Sequence, residues 1–239
     1  MCGIAGLMSK NRSSPDPSII DSLEAALLHR GPDGNGRYIH RNTAILQTRL
    51  AIIDLAKGDQ PFVLEPPRGE PVALVANGEI YNYLELTENL TGASFISSSD
   101  CEPPLHLYLR DGVRFAESLR GMYAFAIFDA NLNRLVLSRD PFGIKPLYYT
   151  ETGTLFAFAS EPQALIKAGI RGAEENAGAF RELLQLQFTC GRETPFAGIY
   201  RVLPGETIVI EEGEIIDRIQ MSGLPMDAPV QVTESFAVA

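Results

Sequence analysis

Positive charge is in short supply: 20 lysines and arginines stand against 30 aspartates and glutamates, a formal net charge of −10 over 239 residues. Nucleic-acid and anionic-membrane surfaces select for basic patches, so neither partner is expected. Long apolar runs are missing too. No stretch approaches a membrane span. The N-terminus has neither the basic segment nor the apolar core of a secretory signal, which makes the cytoplasm the expected compartment. Cysteine is scarce, and Cys2, Cys101 and Cys190 are too scattered for a disulfide framework. They show no metal-ligand spacing with His29, His40 or His106, so no metal site is expected. Repeats and low-complexity tracts are absent as well. What remains is an ordinary globular composition, 45% hydrophobic and 21% charged, long enough for one large domain or two small ones.

The pattern of apolar residues predicts many strands with helices between them. Strands are expected at Cys2–Met8, Thr43–Gln47, Leu50–Asp54, Val72–Ala76, Leu147–Tyr149 and Leu155–Ala159. Hairpins are expected for Met122–Phe128 with Arg134–Ser138, and for Thr207–Ile210 with Glu214–Asp217. Helical spacing marks Ser18–His29, Tyr83–Leu90, Leu105–Asp111, Glu161–Lys167 and Gly178–Leu186; Pro103 and Pro104 are tolerable in a first turn. Few regular strand–helix alternations occur, which favours α+β over a doubly wound sheet. From Met221 onward, prolines, small residues and few charges read as a linker.

Chemistry starts at Met1-Cys2. A small residue at position 2 allows the initiator methionine to be removed, which gives Cys2 a thiol and a free α-amine. Nucleophile and base then belong to one residue. An α-amine, with an ordinary pKa of roughly 8, suits a general base near neutral pH. Taken singly, the same cysteine also fits a small buried residue of an N-terminal strand.

Six motifs occur in order: Cys2-Gly3-Ile4-Ala5-Gly6, His29-Arg30-Gly31-Pro32-Asp33-Gly34, Arg49-Leu50-Ala51-Ile52-Ile53-Asp54, Asn77-Gly78-Glu79-Ile80-Tyr81-Asn82, Ser99-Asp100-Cys101-Glu102, and the run Arg139–Tyr149. Together they closely resemble the class II, N-terminal-nucleophile glutamine amidotransferase domain of glutamine-hydrolysing asparagine synthetases. The resemblance runs from Cys2 to about Glu214. It implies a four-layer αββα sandwich and release of ammonia from L-glutamine through a thioester on Cys2.

The resemblance also implies roles. Asn77, through its side-chain amide, and Gly78, through its backbone N–H, would stabilise the oxyanion formed when the thiolate attacks, each worth on the order of 3 kcal/mol. Arg49 would grip the α-carboxylate of free glutamine bidentately, as lysine cannot. Glu79 and Asp100 would accept its α-ammonium, and Arg49, Leu50, Ala51, Ile52 and Ile53 would form the binding loop. His29 to Asp33 would border the pocket, with no proton-transfer role for His29. The Arg139–Tyr149 run would be structural, a tight turn.

The resemblance implies a second domain with a Ser-Gly-Gly-x-Asp-Ser pyrophosphate loop, and the sequence contains no such loop. Residues 2–220 are therefore read as the glutaminase domain. Residues 221–239 are read as a linker or the truncated start of a synthetase domain, with Thr233–Ala237 resembling its first helix. No cofactor is expected in this chain; ATP and Mg²⁺ belong to the missing domain or partner, which would take up the ammonia. A homodimer is one assembly the sequence allows. Rival readings keep the glutaminase but change the acceptor to a phosphoribosyl, hexosamine or glutamate-forming one, or keep the fold as a non-catalytic binding module.

Overall fold

A strand covered on both faces needs no polar alternation, and the longest apolar segments here are of that kind. Residues 1–54, 57–66 and 69–224 are described by a computed structural model. In it β1 (Gly3–Ser9) and β3 (Thr43–Arg49) are buried at every position. Strands β5 (Val72–Ile80) and β6 (Gly121–Asp129) are buried along most of their length.

The strands form two six-stranded sheets, antiparallel at every pairing. In the first, β1 lies between β3 and β9 (Leu155–Ala159); β2 (Gly34–His40) flanks β3, while β8 (Tyr148–Glu151) and β10 (Tyr200–Arg201) continue beyond β9. In the second, β6 lies between β5 and β7 (Arg134–Arg139). There β4 (Phe62–Leu64) flanks β5, and β11 (Glu206–Glu211) with β12 (Glu214–Gln220) flank β7.

Alternation along each strand distributes side chains between three apolar layers. Ile4, Met8, Ile45, Val75, Ala126, Phe128, Leu137 and Phe158 meet between the sheets. Ala5, Leu7 and Leu46 face the other way, onto Leu23 and Leu27 of α1 (Pro17–Leu27) and Leu165 of α4 (Pro162–Lys167). Ala76, Tyr123, Phe125 and Ile127 face Leu86 of α2 (Tyr83–Asn89) and Leu105 of α3 (Pro103–Asp111). Each fully buried Phe, Leu or Ile contributes about 1.5–3 kcal/mol relative to an exposed one. The order is helix, sheet, sheet, helix: the αββα sandwich of an α+β protein. Helix α5 (Ala177–Leu186) buries only Ala179.

One expected strand is missing from the structure, and three strands in it were not expected. Leu50–Asp54 is not a strand; it is a loop after β3, with Ile52 64% exposed. Strands β2, β4 and β10 were not foreseen: Gly34-Asn35-Gly36 reads as a turn and β2 carries Arg37 and His40 on a half-exposed sheet edge, while β4 and β10 span only three and two residues. The linker reading applies among the described residues only to Met221–Leu224, which form neither helix nor strand. Residues 225–239, with Thr233–Ala237, lie outside the described residues.

Candidate active site

The register Gly3↔Thr48 between β1 and β3 sets Cys2, one residue before its strand, beside Arg49 at the end of the neighbouring one. Facing them from the second sheet is the end of β5, with Asn77, Gly78 and Glu79. A cavity of about 80 Å³ opens between these strand ends. Its walls include Cys2, Arg49, Leu50, Ile52, Ile53, Asn77, Gly78, Glu79 and Asp100, nine of the ten residues singled out from the sequence. Ala51 does not line it; its N–H instead bonds Asp33 Oδ2 at 2.9 Å, fixing the loop from behind.

The Cys2 sulfur is held by the first residue of that loop. Leu50 N–H donates to Sγ at 3.4 Å, and the Leu50 carbonyl lies 3.6 Å from Sγ. Arg30 Nε donates to the Cys2 carbonyl at 3.1 Å, while its Nη1 bonds Glu161 at 2.7 Å. His29 also faces Glu161, at 3.1 Å, and is not part of the cavity wall. Burial pushes the Glu161 carboxyl up, but its bonds to Arg30 and His29 outweigh this and leave it below the ordinary value. Burial pushes Cys101 well above the ordinary thiol value, and a hydrogen bond with Glu182 raises exposed Cys190.

Asn77 is 2% exposed, and its Nδ2 has no hydrogen-bond partner. An unpaired buried amide costs on the order of 1–3 kcal/mol, and such groups in native structures call for an explanation. Here the donor belongs to a residue of the cavity wall that Cys2 shares. Gly78 is required by packing: a Cβ there would lie 2.8 Å from both the Met122 carbonyl and Tyr123 Cβ on β6.

Strand β4 ends before it can pair with Ala76, so the peptide groups there need other partners. Two glutamines supply them. Gln60 Oε1 accepts the Ala76 N–H at 2.6 Å, and Gln47 Nε2, from the opposite sheet, donates to the Ala76 carbonyl at 2.7 Å. Neither was foreseen, because nothing in a lone glutamine marks it as buried.

Arg49 is already committed. Its guanidinium bonds Asp59 at 2.6 Å, Ile53 O at 3.3 Å and Asp54 O at 2.6 Å, which ties the loop back onto β3. Asp100 accepts the Ile80 N–H at 2.7 Å, yet burial dominates and pushes its carboxyl up. Glu102, fully buried, accepts Ile96 N–H and Ser97 N–H at 2.8 Å each and shapes the turn that presents Asp100. Sequence reasoning had given Glu102 no role. Lys145, expected to be structural, reaches the cavity wall beside Met1. Among the described residues no cluster of His, Cys, Asp and Glu fits a metal ion. No helix of the described residues is long and apolar enough to cross a membrane.

Residues 1–220 match the family described as the glutamine amidotransferase domain. The chain belongs to that family. It is 42% identical over 170 residues to glutamine-hydrolysing asparagine synthetase 2 of Bacillus subtilis, an alignment covering 69% of this chain and 22% of that protein. It is 36% identical over 221 residues to asparagine synthetase 1 of the same organism, covering 90% of this chain and 34% of the relative. The chain thus spans between about a fifth and about a third of the length of these relatives. Glutamine phosphoribosylpyrophosphate amidotransferase from B. subtilis shares the fold at TM-score 0.68 and 21% identity, over 93% of this chain and 50% of that one.

Proposed function

We propose that this amidotransferase domain hydrolyses L-glutamine to glutamate and ammonia with Cys2 as nucleophile, once Met1 has been removed. In this reading the free α-amine takes the thiol proton as sulfur attacks the γ-carboxamide. The C–N bond breaks, the ammonium proton leaves with ammonia, and a γ-glutamyl thioester remains. Water, deprotonated by the same amine, then releases glutamate and regenerates the thiol. Asn77 Nδ2 and Gly78 N–H serve the oxyanion. Arg49, on exchanging exposed Asp59 for the α-carboxylate, with Leu50 to Ile53, and the carboxylates of Glu79 and Asp100 bind the free amino-acid end.

The observation that carries the reading is the partnerless Asn77 amide in the wall of the cavity that holds the Cys2 sulfur.

We further propose that the ammonia passes to a synthetase domain or subunit for ATP-dependent amidation of the asparagine-synthetase type, in the cytoplasm, with ATP and Mg²⁺ bound there and not by residues 2–220. Similarity to the two synthetases supports this. The test is intact mass of the purified chain, followed by a glutaminase assay with and without ATP and aspartate. Loss of Met1, glutamine hydrolysis indifferent to both additions, and abolition by Cys2→Ala support the reading. Retained Met1, or hydrolysis that survives Cys2→Ala, sinks it.

A further inference from the structure

Lys145 is 6% exposed, lines the cavity with Cys2, and has no carboxylate within ion-pair distance among the described residues. Its Nζ finds one hydrogen-bond acceptor, Met1 Sδ, at 3.8 Å. Removing Met1 takes that acceptor away. The ammonium then faces the space beside the new N-terminus with no counter-ion of its own among the described residues.

The fold invests heavily in placing this lysine. Fully buried Asp140 accepts the Lys145 N–H at 3.0 Å, and also the N–H groups of Phe142 at 3.1 Å and Ile144 at 3.0 Å. Arg139 donates to the Lys145 carbonyl at 2.7 Å and to the Gly143 carbonyl at 2.6 Å. Gly143 (φ +64°) permits this wrap, since a Cβ there would meet Arg139 Cζ at 3.1 Å. Both peptide groups of Lys145 are thus pinned by buried charges.

Of the other charged groups around Cys2, the cations are matched, while the carboxylates of Glu79 and Asp100 have no ion-pair partner among the described residues and oppose the effect of Lys145. Arg30 and His29 share Glu161, and Arg49 is matched by Asp59. Glu79, Asp100 and Cys101 come from the second sheet and the turn before α3. Lys145 is the cation next to the space that Met1 vacates.

We infer that Lys145 is a positioning residue in the electrostatic sense: its charge holds the mature Cys2 α-amine in the neutral, proton-accepting form. A second positive charge on the amine, in the cavity that the Lys145 ammonium lines, is disfavoured, so the amine stays a base at lower pH. The inference rests on the glutaminase reading and adds a residue to that site.

The test is a pH–rate profile for glutamine hydrolysis, paired with a direct NMR titration of the N-terminal amine in the Cys2→Ala chain, where no thiol interferes. Neutralising the lysine, as Lys145→Met or Lys145→Gln, is expected to move both the acid limb and the midpoint of the N-terminal amine up by about one pH unit. Lys145→Arg keeps the charge and is expected to leave both in place. If the neutral variants do not fold, an arginine variant with its midpoint displaced upward refutes the inference, and an unmoved one supports it. An unmoved midpoint in folded neutral variants overturns it while the nucleophile assignment stands. So does a raised KM with an unchanged pH profile, which would assign Lys145 to a substrate carboxylate. Hydrolysis that survives Cys2→Ala would overturn the underlying reading instead.

Discussion

Gln47 Nε2 donates to the Ala76 carbonyl at 2.7 Å, a buried bond from the sheet that carries Cys2 to the residue before Asn77. Gln47 also pairs with Ile4, two residues after Cys2, so one side chain relates the two halves of the site. Gln47→Leu leaves that carbonyl unpaired, a cost of about 1–3 kcal/mol, and frees Asn77 to drift. The expected result in steady-state kinetics is a kcat lowered about tenfold or more with KM changed little, as an oxyanion donor misplaced by roughly 1 Å or less would give. A changed KM with kcat intact would refute this role.

Asn77→Ala removes an amide that is buried without a partner. Thermal unfolding is expected to show little loss of stability, because no hydrogen bond of Nδ2 is broken. Activity is another matter: kcat should fall roughly a hundredfold if the amide meets the oxyanion. Stability and rate thus part company at this residue, and the pair of measurements separates a catalytic amide from a structural one.

Asp100 is pushed up by burial. A raised folded value means the carboxylate is the less comfortable form: its stabilising contribution is present below the unfolded value and is lost as pH rises through the folded one. At pH 7 the ionised Asp100 is therefore a burden on stability. Asp100→Asn is expected to keep or raise Tm at pH 7 while raising KM for glutamine, since the ammonium loses its counter-charge. On acidification, KM of the unaltered chain should begin to rise above the pH at which an ordinary aspartate protonates.

Far from the cavity, nearly fully buried Glu206 lies between Arg192 and Arg218, at 2.8 Å from each. Burial raises its carboxyl, but bonds from Arg192, the Leu203 N–H and Arg218 outweigh this and leave it lowered. A lowered value adds stability above the ordinary glutamate range that is lost as pH falls through the folded value. Glu206→Gln strands two arginines and should cost about 3 kcal/mol in urea unfolding at pH 7. The deficit should shrink on acidification towards the folded value.

Arg49→Lys tests the binding loop. Lysine cannot span Asp59 and the Ile53 and Asp54 carbonyls together, so the loop after β3 should loosen and KM rise by roughly tenfold or more. Faster proteolysis within residues 50–58 would locate the effect.

Much of this was legible in one dimension. The apolar runs of β1, β3, β5 and β6 announced strands because both their faces are buried, and the ordered motifs from Cys2 onward announced the amidotransferase domain. The strand reading of Leu50–Asp54 failed because β-branched residues look alike in a strand and in a cavity-lining loop; the Arg49 guanidinium and the Asp33 carboxylate, not propensity, hold that segment open. Strand β2 was hidden by its glycines. Local sequence thus specified which segments are apolar, where turns fall and which residue types could do the chemistry. Only the tertiary structure decided which polar groups are taken out of water. Gln47, Glu102 and Lys145 look like ordinary surface residues until the folded chain closes over them. Burial is a property of the neighbours a residue acquires, and those come from strands tens of residues away.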